Sequence, residues 1–154
     1  MIDPPRITQS VALTTAVIPL KIQFADMPKH VGPAIGELMK AVAAQDVGPA
    51  GPWFIRLFAK PTDVIDCEVA VPVRAPVKPT GRVKPSTLPS ATVARTVHHG
   101  GYEGLHAAWT EFAAWAAKSG RRPRGDQWDV YVVGPETSKN PADWRTELNL
   151  ALVG

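Results

Sequence analysis

Two stretches of the chain carry the same signals in the same order, and this repeat limits the possible folds more than any other feature. Each copy has a helix-period segment, an aromatic-led strand, a polar turn and a strand with a glutamate near its start. The strands read PWFIRLFAKP and DVIDCEVAVPV in the first copy, DQWDVYVVGP and DWRTELNLALV in the second. Units this small cannot each bury a full core, so the two are expected to share one. The seam between them is then the expected place for a ligand groove.

In the first copy a strand is expected over about Ile7 to Phe24, with one irregularity near Pro19. Met27-Pro28 opens a helix, with Asp26 as its cap and Pro28 in the first turn, where a missing donor costs nothing. Val31, Ile35, Leu38, Met39 and Val42 follow at helical spacing, a stripe that reads as core. After a Gly/Pro loop at 46–52, Trp53 to Ala59 and Asp66 to Val73 form a hairpin through Lys60-Pro61-Thr62-Asp63. The second copy repeats the plan. A strand-like stretch from Thr87 to His98 leads through HHGGYEG into a helix ending near Lys118 and Gly120. Leu105, Ala108, Trp109, Phe112, Trp115 and Ala116 form the apolar face of that helix. Trp128 to Val133 and Trp144 to Val153 give the second hairpin.

Composition narrows the function classes. The chain has 154 residues, 45% hydrophobic and 20% charged, with a formal net charge of +3. These are ordinary globular values and too little charge to argue for nucleic acid. Arg74, Lys78, Arg82 and Lys84 cluster, but among prolines and without aromatics, so they read as a solvated, extended connector with room for a short edge strand. Arg121, Arg122 and Arg124 follow a helix end, where cations suit the dipole. No apolar run of spanning length and no secretory leader is visible, so no membrane partner and a cytoplasmic location are expected. The single cysteine, Cys67, reads as a small buried hydrophobe in a strand. His98 and His99 are adjacent and point apart on a strand, so no metal site is expected. No phosphate loop or other cofactor motif is present.

HHGGYEGLHAAW, QWDVYVVGPE, NPADWRTELNLALV and CEVAVPV resemble the GyrI-like small-molecule-binding family, which also supplies the effector-binding domain of AraC- and MerR-type multidrug regulators. The resemblance runs from about Arg6 to Val153. It implies an α+β fold of two strand-helix-strand-strand units forming one antiparallel sheet with two main helices, and a groove near the pseudo-twofold axis. Repeat 1 then spans about 6–74, the connector about 75–86 and repeat 2 about 87–153. The repeats use up the chain, so it resembles the stand-alone members, which bind drugs or other xenobiotics; one of them opposes inhibitors of DNA gyrase.

Glu147 is the first candidate for binding. Alternation sends Leu148, Leu150 and Leu152 to one strand face and Glu147, Asn149 and Ala151 to the other. The resemblance implies an acid facing the ligand there, and a poorly solvated carboxylate attracts a cation strongly. Tyr131, implied by the resemblance as pocket-facing, Trp109, Phe112 and Tyr102 supply aromatic surface for flat or cationic molecules, although core packing also accounts for them. Phe54 and Glu68 are the repeat partners of Trp128 and Glu147, and Leu57 stands where Tyr131 would.

The expected ligand is an amphipathic aromatic small molecule, cationic ones included. A second expectation is hydrolysis, because some proteins resembling the family hydrolyse electrophilic alkylating drugs; Glu147 would activate water and Tyr131 would donate to an oxyanion. A third is a protein-interaction module acting on gyrase or a regulator through the connector.

Overall fold

The computed structural model describes residues 1–59 and 62–153. In chain order the main elements are β1 (Arg6–Gln9), β2 (Leu13–Gln23), α1 (Met27–Ala44), β3 (Phe54–Leu57), β4 (Val64–Pro72), β5 (Lys84–Leu88), β6 (Thr92–His99), α2 (Leu105–Lys118), β7 (Pro123–Val133) and β8 (Arg145–Leu152). The paired strands described below run antiparallel, and with two main helices the architecture is α+β. The chain divides into two compact units, one of residues 11–90 and one of residues 1–10 with 91–154.

The unit of residues 11–90 orders its strands β3-β4-β2-β5. β2 alternates through Ala16, Ile18 and Leu20, and β4 through Cys67, Val69 and Val71, all buried. α1 lies against these strands and buries Ala34, Leu38, Ala41 and Val42; of the expected stripe Leu38 and Val42 are buried, while Val31, Ile35 and Met39 are only half-buried at its margin. Pro28 sits in the first turn as expected. Asp26 occupies the N-cap but makes no side-chain cap hydrogen bond; its carboxylate faces Lys29 Nζ at 3.8 Å instead. The polar turn of the hairpin includes Lys60 and Pro61, which lie outside the described residues.

The expected long first strand is two strands. At Ser10 the backbone N–H donates to Ala91 O (2.8 Å), and Ser10 Oγ accepts from Ala91 N (3.0 Å), so β1 pairs with β6 of the same unit, while β2 starts afresh at Leu13 in the unit of residues 11–90. The connector is only partly solvated. Val77 and Val83 are buried, Gly81 takes a φ of 57° in the turn between Thr80 and Val83, and Lys84–Leu88 form an edge strand on β2. Its Arg82 forks onto Glu37 of α1, with Nη2 and Nε 3.0 and 3.1 Å from Oε1. These two buried valines anchor a segment whose composition is dominated by prolines and charges.

The unit of residues 1–10 and 91–154 orders its strands β1-β6-β8-β7. α2 packs on Ala94, Leu148, Leu150 and Leu152 through Ala108, Phe112 and Ala116, with Leu105, Trp109 and Trp115 at its margins. All six helix positions match the expected apolar face. α2 stops where Gly120 takes a φ of 78°, a conformation side chains rarely adopt.

Strand register makes the duplication visible row by row. Residues paired across an antiparallel ladder share a face. Pro19, Glu68 and Arg56 form one row, and Val97, Glu147 and Val130 its counterpart. One row further along are Val17, Ala70 and Phe54, matched by Arg95, Asn149 and Trp128. In the unit of residues 1–10 and 91–154 these rows lie away from α2, which packs on Ala94, Leu148 and Leu150. On the helix side, Leu20, Cys67 and Leu57 correspond to His98, Thr146 and Tyr131, and Ile18, Val69 and Ile55 to Thr96, Leu148 and Asp129. The apolar layer of one unit has therefore become largely polar in the other.

Candidate functional site

The face of β6, β8 and β7 that turns away from α2 changes character along its length. Ala151, Val93, Asn149 and Trp128 are buried, whereas Glu147, Arg95, Val97 and Val130 are half-buried. Here the chain builds a polar trio. Arg95 Nε donates to Asn149 Oδ1 at 2.7 Å, and Asn149 Nδ2 donates to Glu147 Oε1 at 3.1 Å. Arg95 Nε also lies 3.4 Å from Glu147 Oε1, with side chains 19% and 27% exposed. The residues are at alternate positions on neighbouring strands, so regular β geometry alone aims them at one another. Glu147 Oε1 is thus held by two neighbours, while Oε2 has no protein donor among the described residues.

The first unit carries its own acid at the equivalent place. Glu68 is 7% exposed and pairs in register with Arg56. Burial pushes its carboxyl above the usual carboxylate range; Arg56 pulls it down in part, and Asp66 adds to the rise. Phe54, one row away on the same face, is buried at 1% exposure. Arg56 also caps the Phe58 ring, its guanidinium carbon 5.0 Å from the centroid.

The aromatic candidates fall elsewhere. Tyr102 and Tyr131 meet edge to face at 5.6 Å between centroids, and Trp144 adjoins Tyr102 at 4.9 Å. Tyr131 pairs with Thr146, on the face toward α2. Burial raises the Tyr102 hydroxyl above its ordinary pKa, and the Glu136 carboxylate adds to the rise. Trp109 and Phe112 are in contact at 5.4 Å, but Phe112 is wholly buried in the α2 core. Trp109 Nε1 donates to Asp129 Oδ1 at 2.8 Å. Burial pushes the Asp129 carboxyl up to about 7, against the opposing pull of that hydrogen bond.

The structure therefore brings Tyr102 and Tyr131 together, and Trp109 and Phe112 together, but it parts Glu147 from Tyr131. The hydrolytic scheme needed both on one substrate. They occupy strand positions that project to opposite faces of β8 and β7, so that pairing of base and oxyanion donor does not form. Asn149 was expected on the face of Glu147, whereas Arg95, Asp129 and Trp144 were not expected at a site. Arg95 was findable, since alternation in β6 puts it beside the face of Glu147 once the register of β6 on β8 is known. His98 Nε2 lies 3.0 Å from Gly101 O and His99 Nε2 lies 2.7 Å from Asp3 Oδ1, so the two histidines do point apart. Among the described residues no cluster of three or more His, Cys, Asp or Glu is placed to hold a metal ion, and no helix is long and apolar enough to cross a membrane.

A duplicated antiparallel α+β domain with an acid in each repeat defines a class of small-molecule-binding domains. The chain belongs to the GyrI-like family: the profile of the GyrI-like small molecule binding domain matches residues 3–152. Solved structures agree on the fold. The C-terminal domain of EcmrR is 18% identical, with 97% of each chain covered and a TM-score of 0.80. In the EcmrR–DNA complex the match is 19% identical at a TM-score of 0.83, covering 97% of this chain but 57% of the EcmrR chain. A hydrolase encoded by lin2189 from Listeria innocua is 15% identical over 97% of this chain and 91% of its own, with a TM-score of 0.69. SAV2435, solved bound to tetraphenylphosphonium, is 13% identical over 99% and 95%, with a TM-score of 0.65. No curated protein matches the chain by sequence.

Proposed function

We propose that the chain binds amphipathic aromatic small molecules bearing a positive group, with Glu147 as the group that receives that charge. The observation that carries this is the state of the Glu147 carboxylate. Oε1 is fixed by Asn149 and Arg95, and Oε2 is left for a ligand, at 27% side-chain exposure. A carboxylate already oriented loses little freedom on binding, and at partial burial its attraction for a cation is weakly screened. Val97 and Val130, both half-buried, flank it in its own row, so apolar surface adjoins the acid. The lipophilic cation seen bound to SAV2435, a chain of the same fold, is chemistry of this kind.

Glu68, with Phe54 and Arg56, is the proposed second acid, weaker because its burial favours the protonated form. Tyr131, Tyr102, Trp109 and Phe112 lie toward α2, and the proposed contact does not use them. Calorimetric titration with tetraphenylphosphonium and with the methyl ester of 4-phenylphenylalanine tests the proposal. Wild type is expected to bind both saturably, and Glu147→Gln to weaken both by about ten-fold, the scale of one charge-assisted contact. Equal affinity of the two proteins would remove Glu147 from the site, and flat titrations of both cations with wild type would remove the function.

A further inference from the structure

The Arg95 guanidinium is held by one nitrogen only. Nε donates to Asn149 Oδ1 and faces Glu147 Oε1, while Nη1 and Nη2 have no protein partner among the described residues. The side chain is nonetheless only 19% exposed. A guanidinium presents its donors in a rigid planar fork suited to a carboxylate, and fixing Nε fixes where the remaining donors point. Neither Nη is among the fully buried unpaired polar atoms, so both reach solvent and can meet an acceptor that a ligand brings.

Beside this fork stands Glu147 Oε2, an acceptor equally without a protein donor. The pair thus offers donors and an acceptor side by side, joined through Asn149. A ligand with a positive group alone meets Glu147 with a guanidinium 3.4 Å away, whose charge opposes it. A ligand that carries an anionic group next to its positive group satisfies both partners and removes that opposition. The other repeat lacks this arrangement, because Val17 and Ala70 occupy the places of Arg95 and Asn149.

We infer that Arg95 sets the charge specificity of the site, and that its preferred ligands are aromatic zwitterions in which ammonium and carboxylate are close neighbours, as in an aromatic α-amino acid. The carboxylate lies on the Arg95 fork and the ammonium on Glu147. This rests on the proposed role of Glu147 in ligand binding and adds to it the anionic half of the ligand.

Three probes share one aromatic body: 4-phenylphenylalanine, the zwitterion; its methyl ester, the cation; and its N-acetyl derivative, the anion. With wild type, calorimetry is expected to give the zwitterion at least about ten-fold tighter binding than either relative, since each relative loses one charge-assisted contact. Arg95→Met should bring zwitterion and ester within about two-fold of each other, the contact that separated them being gone. Arg95→Lys keeps the charge without the fork and should retain an intermediate preference, which also covers the case of a methionine variant that does not fold. A wild-type protein that binds the ester as tightly as the zwitterion, or an Arg95→Met variant that keeps the full preference, overturns the inference. Binding of tetraphenylphosphonium without binding of the zwitterion overturns it while leaving the proposed function standing; no binding of any cation or zwitterion overturns both.

Discussion

Trp109 Nε1 donates to Asp129 Oδ1 across 2.8 Å, fastening α2 to β7 at the position where the other repeat carries Ile55. The hydrogen bond satisfies one lone pair of a carboxyl that burial holds near 7. The ordinary aspartate value is about 4, so the folded state binds the proton more tightly than the unfolded chain does. The contribution of Asp129 to stability is therefore fully present below about pH 4 and is lost as pH rises through about 7.

Asp129→Asn keeps an acceptor for Trp109 and removes the titrating group. The variant should exceed wild type above pH 7 by about 1–2 kcal/mol, a gain of several degrees in Tm, and lose that advantage near pH 4. Thermal unfolding followed by circular dichroism across this range reads the difference directly. A gain that does not vary with pH would mean that packing, not charge, separates the two proteins.

Phe112 is fully buried among Ala94, Leu148 and Leu150, whereas Trp115 sits half-exposed at the edge of the same cluster. Phe112→Ala should cost about 3–5 kcal/mol in urea unfolding, through lost burial and the cavity left behind. Trp115→Ala should cost clearly less, because more of its surface already faces water. Equal losses would contradict the order of burial.

Burial pushes the Cys67 thiol up to about 11, with Asp66 and Glu68 adding to the rise, and the residue is inaccessible in β4. The thiolate is the reactive form, so at pH 8 only about one part in a thousand is available even before access is considered. Ellman's reagent should leave the native protein unlabelled and react promptly in denaturing urea. Rapid native labelling would mean that the β3-β4 hairpin opens readily.

Much of this fold could be read in the sequence because it rests on local periodicity. Helical spacing fixed both apolar faces, from Leu38 and Val42 on α1 to Phe112 on α2, and alternation separated Glu147 from Leu148. Long-range pairing was less accessible. Nothing near Ile7 says that β1 joins β6 while β2 joins β4, and composition hid the burial of Val77 and Val83 among prolines and charges. The site divided along the same line. Glu147 and Glu68 were found from their strands, and alternation set Asn149 beside Glu147, but Arg95 becomes a neighbour only through the register of β6 on β8. The register of β7 on β8 in turn shows Tyr131 beside Thr146, away from the acid.

Ligands are expected to meet the face bearing Glu147 and not the face under α2. Methyl NMR with 4-phenylphenylalanine and its methyl ester distinguishes the two faces. Val97 and Val130 lie in the row of Glu147, and Leu105 and Leu148 pack on the α2 side. Saturable shifts at Val97 and Val130, with Leu105 and Leu148 unmoved, are the predicted result. Shifts confined to Leu105 and Leu148 would place the ligand beneath the helix and contradict the account.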